Sequence, residues 1–556
     1  MAPPSVVFIL IPQSFKPMPA TTWTPDAVAE LPDPVNQGEG ATSPFRPSDC
    51  NGTPHIVLPG SEVSIMATAS NLYQIIAPTH QLFVRGKVIV FLTQNLTRQL
   101  VIEPLRPSAA RSYFEKFARF FAWRSGKDGK PVLKPTVIPE ETARALLDCH
   151  IAAELLPPIK GLVNCPLLTE VDGQLIVSSK GYDSRTGMLV LDGSQPEDVS
   201  LPEAVKSLEQ LLINFEFQTL SDASRAMAAM ITPALKMGDL LKGHIPADVA
   251  EADQSQSGKT YRQKLIAAIY NETPALVPQK RTGVGGIDES FFEKLVNGRP
   301  FIQFDNIRGE LDSPALETFL TGTGSFPCRI PHCREIEVDP SRFMVLVTSN
   351  GVETTRDLAN RASIVRIRKR HQVQFPDTLG EVTKRQSHYL GCVFAVIREW
   401  HRQGKPRTQE VRHDFREWCQ ILDWIVQNVC GMAPLMDGHL DAQQRVSSPI
   451  LTFLRRIALE IELTEQLGSP LSASSIIELA NNADLVVPGL SRDDTLNEEK
   501  AKKLLGMKLG TVFKKQNTIE LDNFTVTRSE ETRSRQEGGC YCLKTYTFDH
   551  KSAVTQ

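Results

Sequence analysis

Three consecutive residues near the middle of the chain, Gly258, Lys259 and Thr260, could together hold a phosphate group. A glycine that lets the backbone turn, a lysine that carries positive charge and a hydroxyl that reaches Mg²⁺ form the end of a phosphate-binding loop. Ser257 precedes them and adds another polar group. The helix-like sequence that follows would point its N-terminal amides at the same anion. The triplet alone is weak evidence, because such triplets arise by chance in long chains.

The front of this loop departs from the usual pattern. A glycine is expected five residues before Gly258, and Asp253 stands there. The strand expected before the loop is also poor, because "HIPADVAEA" offers only Ile245 and Val249 as strong strand formers. We therefore expect a less ideal phosphate cradle, which would impair turnover more than binding.

A carboxylate follows at a position that suits the loop. "FIQF" reads as a short buried strand that ends in Asp305 and Asn306. An Asp at the carboxyl end of a strand, together with Thr260, can hold the Mg²⁺ of a bound nucleotide. Asn306 occupies the position where Glu commonly orients the attacking water. An amide can hold that water by hydrogen bonds but cannot take its proton.

Two further polar residues complete an ordered series. The apolar strand "FMVLVTSN" ends in Asn350, whose amide could contact the γ-phosphate or the water. Arg361 begins the next helix-to-strand segment, and a guanidinium there could reach the ATP of a neighbouring subunit. Strands separated by helices predict an α/β fold with a parallel sheet, which binds ligands at the carboxyl ends of its strands.

These motifs resemble those of AAA+ ATPases and, within them, the superfamily 3 helicases of viruses and plasmids. The third motif of that group is an apolar strand that ends in Asn. More narrowly, "QFDNIRGELDSPALETFLT" and "RDLANRASIVRIR" look like AAA+ ATPases of bacterial phages, plasmids and integrative elements that are often found near primases. The close resemblance covers residues 201–375, and Ser255-Gln256 departs from the Pro-Gly of most relatives.

The resemblance implies ATP and Mg²⁺ as cofactors and assigns a role to each residue. Lys259 would bind the β- and γ-phosphates beside Ser257 and Gly258, and Thr260 with Asp305 would bind Mg²⁺. The catalytic set would be Asp305, Asn306, the first sensor Asn350 and the arginine finger Arg361. Asp-Asn is common in this subgroup. A second sensor arginine is expected within 376–465, with no residue assigned to it.

Two segments could contact DNA. "SFPCRIPHCREIEV" reads as a β-hairpin between the Asp305 and Asn350 strands. It resembles the hairpin with basic tip residues that superfamily 3 helicases have between the corresponding two motifs. Its candidate contacts are Arg329, His332 and Arg334. A C-terminal winged helix would supply Lys508, Lys514 and Lys515. The alternative for the first segment is a structural hairpin whose charges are solvated. The alternative for the winged helix is a protein-interaction module. The run "RIRKRH" at 366–371 reads as a solvated strand end, with a nucleic-acid-binding patch as the alternative.

Along its whole length, the sequence predicts five parts. They are a disordered or loosely attached arm (1–60), an α+β domain (61–200), the AAA+ core (201–375), a helical lid (376–465) and the winged-helix domain (466–556). Within the second part, "SAARSYFEKFARFFAW" and "ETARALLDCHIAAEL" each read as one helix, and residues 167–193 read as hairpins.

Bulk composition excludes some classes of protein. The formal net charge of −3 excludes a chain coated in positive charge but not a local nucleic-acid groove. Ten thinly spread Cys residues favour a reducing cytoplasm and do not complete a zinc site. No stretch approaches the ~18 apolar residues of a membrane span.

The first interpretation is an ATP-driven DNA motor, a hexameric replicative helicase of a mobile element that works on single-stranded or forked DNA, with a possible primase partner. The alternative is an AAA+ loader, regulator or scaffold that binds ATP and partners without unwinding. A small-molecule kinase is disfavoured, because it leaves the Asn350 and Arg361 segments without a role.

Overall fold

The protein is described by a computed structural model. The described residues are 52–126, 129–252, 257–278, 286–307, 310–311, 313–329, 335–349, 353–369, 377–488, 490, 498–514, 516–521, 523–534 and 540–551. From Ile56 onward they belong to one compact unit.

The first part of the described chain consists of small sheets and short helices. Its helices are α1 (Ile65–Ile76), α2 (Pro107–Phe114), α3 (Glu140–Leu147) and α4 (Ile151–Leu155). Its strands are β1 (His55–Val57), β2 (Leu82–Arg85), β3 (Val88–Gln94), β4 (Leu100–Pro104), β5 (Arg119–Ser125), β6 (Pro131–Pro135), β7 (Gly161–Val163), β8 (Leu168–Val171), β9 (Gln174–Val177), β10 (Gly181–Asp183) and β11 (Met188–Val190). The hairpin predictions are confirmed by the antiparallel pairs β8–β9 and β10–β11.

Two helix predictions in this part are wrong. The helix predicted over residues 108–123 ends at Phe114, and Arg119–Ser125 forms β5, which pairs with β6. Phe and Trp favour a pleated, half-buried surface, and the cross-strand pairing decides the outcome. The segment "ETARALLDCHIAAEL" forms two helices, α3 and α4, with a break at residues 148–150. Buried Tyr73 packs beneath them and donates its hydroxyl proton to the Leu146 carbonyl at 2.8 Å.

The middle of the chain alternates strands and helices. The helices are α5 (Leu201–Leu212), α6 (Leu220–Met237), α7 (Lys259–Ile269), α8 (Ile287–Asn297), α9 (Pro314–Thr321) and α10 (Arg356–Asn360). The strands are β12 (Glu216–Phe217), β13 (Ala247–Glu251), β14 (Ala275–Val277), β15 (Phe301–Ile307), β16 (Glu310–Leu311), β17 (Phe326–Cys328), β18 (Ile336–Val338), β19 (Met344–Ser349), β20 (Glu353–Thr354) and β21 (Ala362–Arg368).

Six of these strands form one central sheet in the order β12-β21-β13-β19-β15-β14. All neighbours are parallel except β12, which runs antiparallel to β21. The four inner strands β21, β13, β19 and β15 are mostly buried because helices lie on the sheet, as a parallel sheet requires. This mixed α/β architecture with a parallel sheet is what the sequence predicts.

The last part is helical and then ends in a second sheet. Its helices are α11 (Thr378–Lys384), α12 (Gln386–Arg402), α13 (Arg416–Asn428), α14 (His439–Val446), α15 (Pro449–Leu463), α16 (Ala473–Asn482) and α17 (Glu498–Val512). The sheet has the order β22-β25-β24-β23, with β22 (Pro470–Ser472), β23 (Thr518–Leu521), β24 (Phe524–Ser534) and β25 (Cys540–His550).

The buried apolar side chains form three larger cores. One runs through residues 56–156, a second through 163–446 around the central sheet, and a third through 450–548. Helix α12 packs on α5 and α6, so the helices after the sheet share its core. Helix α15 instead contributes its apolar residues to the third core.

Candidate nucleotide-binding site

The strand order reverses at β13. From β13 the chain crosses to β14 at the far edge, returns through β15 and β19, and then passes to β21 on the other side of β13. Crossovers that leave in opposite directions open a crevice at the carboxyl ends of the strands, where ligands of such sheets bind. The residues that follow β13 therefore lie at the position that a ligand site would occupy.

Strand β13 is formed by residues of modest strand propensity. The sequence offered a weak strand here, yet Ala247–Glu251 is buried throughout and pairs with both β19 and β21. Packing between two strands outweighs propensity in a central strand. Asp248 is accommodated because its carboxylate accepts hydrogen bonds from Arg262 and from Gln263 of α7, the latter at 3.0 Å. These contacts attach helix α7 to the strand that precedes it.

The turn into α7 depends on Gly258. This residue caps the helix with φ 91° and ψ 6°, in the left-handed region that glycine tolerates best. A Cβ atom at this position would lie 3.0 Å from Cε1 of Phe215, so both the torsion and the space favour glycine. Lys259 starts the helix, is 8% exposed, and donates from Nζ to Ser257 Oγ at 3.2 Å. Residues 253–256, including Asp253, lie outside the described residues.

Asp305 and Thr260 meet at the same edge of the sheet. Thr260 donates its hydroxyl proton to Asp305 Oδ1 at 2.8 Å. Thr348, near the end of β19, donates to the same carboxylate oxygen at 2.6 Å. Two hydroxyls and a carboxylate are hard oxygen ligands of the kind that Mg²⁺ prefers. The sequence analysis named Thr260 and Asp305 but missed Thr348, whose signal is its place two residues before Asn350.

A bulge in β15 shapes the position after Asp305. The strand was predicted to end at Asp305 and Asn306, but it continues to Ile307, and its register against β19 shifts between Phe304 and Ile307. Asn306 takes φ 51° within that shift, which Asn tolerates better than most residues because its short side chain can bond locally. Its backbone N–H donates to Thr348 Oγ1 at 2.7 Å, and its side chain is exposed.

Arg361 lies at the opposite edge of the sheet. Its carbonyl accepts from the backbone N–H of Ala247, the first residue of β13. The five residues of β13 at ~3.3 Å each separate that edge from the phosphate loop by roughly 16 Å. Its Nη1 donates to the carbonyl of Glu317 in α9 at 3.0 Å, and its side chain is 22% exposed. Within one chain, Arg361 therefore does not join the Asp305 cluster.

The DNA-contact candidates are only partly described. Strands β17 and β18 pair antiparallel, which confirms the predicted hairpin, and Arg329 is exposed at its end. His332, Arg334, Asn350 and Lys515 lie outside the described residues. Lys508 of α17 is half-buried, and Lys514, two residues beyond the end of the helix, is exposed. Ala501, Leu505 and Leu509 of α17 and the following Phe513 are buried in the third core.

The basic run that starts at Arg366 is not a solvated strand end at its first position. Arg366 is 7% exposed and forms an ion pair with fully buried Asp222 at 3.2 Å. Arg225 holds the same carboxylate at 2.6 Å. Burial alone would raise the pKa of Asp222, but the two guanidinium groups keep it below its usual range. The prediction of solvent exposure fails here because the charge has a buried partner 144 residues away.

A second buried ion pair lies next to the phosphate loop. Arg455 of α15 donates from Nη1 to Oε1 of Glu251, the last residue of β13, at 3.2 Å. The two side chains are 7% and 1% exposed. Sequence reasoning missed this pair, because the partners are 204 residues apart and no periodic pattern connects them.

The residues at this edge fit a magnesium-bound nucleotide. Among the described residues no group of three or more His, Cys, Asp or Glu could hold a metal ion. A single Asp with a Thr hydroxyl still suits Mg²⁺, which keeps several waters and takes its other oxygens from the phosphates of the substrate.

In the part of the chain that the structure describes, no helix has the length and apolar character needed to cross a membrane.

The fold and this edge define an α/β protein in which a glycine-started helix follows a central parallel strand, with an Asp–Thr cluster beside it. A search of solved structures finds distant helicase neighbours. The chain is similar to "SCCmec type IV Cch - active helicase" with 13% identity and a TM-score of 0.28, over 82% of this chain and 92% of that chain. It is also similar to JCV helicase with a bound small molecule, with 11% identity and a TM-score of 0.20, over 45% and 73% of the two chains. No protein-family model matches the sequence, and neither does any curated protein.

Proposed function

We propose that the protein binds and hydrolyses ATP at the carboxyl edge of its central sheet. The observation that carries this proposal is the 2.8 Å hydrogen bond between Thr260 and Asp305. Thr260 lies two residues after Gly258, whose left-handed torsion caps the helix. Lys259 would bind the β- and γ-phosphates there. Thr260 and Asp305 would hold Mg²⁺, which neutralises phosphate charge when it is bound.

Asn306, Asn350 and Arg361 complete the proposed catalytic set. Asn306 and Asn350 would orient the attacking water, with Ser257 and Gly258 lining the phosphates. Arg361 would act on the site of a neighbouring copy in a ring, since it lies at the far edge of its own sheet. A repeated head-to-tail contact of this kind closes into a ring of identical subunits, and we propose a hexamer.

The proposed work of the ring is to move along DNA, as a replicative helicase of a mobile genetic element with a possible primase partner. The β17–β18 hairpin would hold the DNA backbone through Arg329, His332 and Arg334. The C-terminal module would act as a winged helix that offers Lys508, Lys514 and Lys515. We propose a division into an N-terminal domain (61–200), a core (201–375), a lid (376–465) and this module (466–556). The apolar cores divide the chain at other positions, since one spans residues 163–446 and the next begins at Ile450.

Mixing two inactive variants tests the shared site. Lys259→Ala and Arg361→Ala should each lack ATPase activity, because one lacks the phosphate ligand and the other the finger. In a mixed ring, an intact site forms wherever an Arg361→Ala subunit meets the Arg361 of a Lys259→Ala subunit. About a quarter of the interfaces in a random mixture meet this condition. Recovery of activity on mixing is the expected result, and its absence would refute the placement of Arg361 in a neighbour's site.

A non-motor function is the second candidate. The observation that favours it is Asn306, an exposed amide where a proton-accepting Glu is common. A loader or scaffold would bind ATP and assemble without separating strands. A forked DNA substrate with ATP distinguishes the two functions: strand separation supports the motor, whereas ATP-dependent assembly without separation supports the scaffold.

A further inference from the structure

The buried pair between Glu251 and Arg455 joins two parts of the protein that have separate cores. Glu251 ends the strand that leads into the phosphate loop, and it lies in register between Ser349 of β19 and Arg366 of β21. Arg455 belongs to α15, whose buried residues Ile450, Phe453, Leu454, Ile457, Ala458 and Ile461 pack in the C-terminal core. The contact therefore connects the base of the loop to α15 and, through it, to the C-terminal core (residues 450–548).

A buried ion pair is an uncommon way to join two cores. Taking both charges out of water costs several kcal/mol, and an apolar contact of similar volume often serves stability equally well. The pair is also placed where charge would change most when a nucleotide binds. Only Ala252 and residues 253–256 separate Glu251 from Ser257 and the proposed phosphate ligands. Added phosphate charge beside the pair would repel the carboxylate and attract the guanidinium.

We propose that the Glu251–Arg455 pair couples nucleotide binding to the position of α15 and of the C-terminal core to which α15 belongs (residues 450–548), with Arg455 as a positioning residue. This proposal rests on the proposed ATP site. Phosphate charge in the loop weakens the hold of Glu251 on Arg455, and α15 carries that change into the C-terminal core. By linkage, the position of α15 changes the nucleotide affinity by the same factor.

The coupling predicts opposite effects for the two partners. Glu251→Gln keeps the shape, removes the negative charge near the phosphates and leaves the cation in place, so nucleotide affinity should rise. Arg455→Met keeps most of the volume, removes the cation and leaves the carboxylate, so affinity should fall. Each shift should be at least about fivefold, the lower end of measured couplings between sites. A purely structural role would instead lower the stability of both variants and move the two affinities in the same direction or not at all.

A second buried pair in the same core provides the control. Glu272 and Arg299 are 6% and 3% exposed and form an ion pair, but they lie at the amino edge of the sheet, away from the loop. Glu272→Gln should lower the midpoint of denaturant unfolding as Glu251→Gln does. Its nucleotide affinity should stay within about twofold of the wild-type value, because no phosphate charge lies near it.

The test measures the affinity of the full-length protein for a fluorescent, non-hydrolysable ATP analogue with Mg²⁺. Wild type, Lys259→Ala, Glu251→Gln, Arg455→Met and Glu272→Gln are compared. Opposite shifts for Glu251→Gln and Arg455→Met support the coupling, whereas shifts of the same sign, or none, overturn it. If wild type binds and Lys259→Ala does not, the ATP site stands whatever the outcome for the pair. If wild type does not bind, the ATP site and the coupling both fall.

Hydrogen exchange of the wild-type protein tests the same coupling without a substitution at either partner of the pair. Amides of α15 should change their exchange rate when the analogue binds, and the change should be absent in Lys259→Ala. Unchanged exchange in α15 at saturating analogue would overturn the proposal.

Discussion

Replacing Gly258 with Ala separates two constraints on the turn that leads into α7. The first is the backbone torsion, since φ is 91° and an L-residue with a Cβ is strained there. The second is space, since the new Cβ would lie 3.0 Å from Phe215 Cε1 and 3.4 Å from Cδ1. Gly404 provides the control, because its φ is 85° and no atom lies within 4 Å of a Cβ at that position.

The two costs can be estimated separately. A left-handed torsion destabilises the folded state of an L-residue other than glycine by roughly 1–2 kcal/mol. Alanine also makes the unfolded chain less flexible than glycine does, which stabilises the folded state by about 0.4–1 kcal/mol. Gly404→Ala should therefore lower the free energy of unfolding by about 1 kcal/mol. Gly258→Ala adds an overpacking cost of about 1–3 kcal/mol against Phe215, for a total of about 2–4 kcal/mol.

Denaturant unfolding of both variants, and of Gly258→Ala combined with Phe215→Leu, measures these terms. The smaller side chain should recover the overpacking part and leave the torsional part. ATP-analogue affinity should fall at least about tenfold, or 1.4 kcal/mol, in Gly258→Ala and stay unchanged in Gly404→Ala. Equal destabilisation of the two glycine variants with unchanged affinity in both would refute the described turn at Gly258.

Three further predictions concern other buried groups. Asp222→Asn removes the carboxylate between two buried arginines and should cost about 3–5 kcal/mol in denaturant unfolding, whereas Glu498→Gln at an exposed pair should cost less than about 0.5 kcal/mol. Burial lowers the pKa of His413 from 6.5 to about 4. Between these two pH values the unfolded chain binds a proton at this residue and the folded chain does not, so stability falls as the pH drops from 6.5 towards 4. The contribution of His413 at pH 5 is about 2 kcal/mol, and the loss from pH 7 to pH 5 should shrink by that amount in His413→Gln; an unchanged profile would contradict this pKa. Thr260→Val should abolish the Mg²⁺-dependent part of nucleotide affinity, Thr260→Ser should retain it, and equal affinities would argue against a metal site beside Asp305.

Local patterns in the sequence identify the residues of the Asp–Thr cluster but not its full composition. Thr260 and Asp305 stand out because a glycine turn and an apolar strand precede them, and the parallel sheet then brings them to 2.8 Å. The order of strands and helices is likewise sufficient to predict a parallel α/β sheet. Thr348 also follows an apolar strand, but its contact with Asp305 depends on β19 lying beside β15, which local patterns do not reveal.

Features that depend on tertiary contact could not be predicted. Strand β13 has weak strand propensity, yet it lies at the centre of the sheet. The carboxylate of Asp248 is tolerated there because it accepts hydrogen bonds from Arg262 and Gln263. The bulge at Asn306 also leaves no trace in the apolar pattern. The strand at Arg119–Ser125 reads as helix until β6 pairs with it. Charge pairs such as Glu251 with Arg455 join residues far apart in the chain, and only the folded sheet selects the partner.

The most direct test is ATP hydrolysis by the purified protein, with and without single-stranded DNA, compared with Lys259→Ala. The proposed function predicts turnover by wild type, stimulation by single-stranded DNA, and a rate at background in Lys259→Ala. Because Lys259 is buried beside Ser257 at the start of α7, a circular-dichroism spectrum should confirm that the variant is folded. A folded wild type that hydrolyses no more ATP than Lys259→Ala, with or without DNA, would contradict the proposal that this edge of the sheet is an ATPase site.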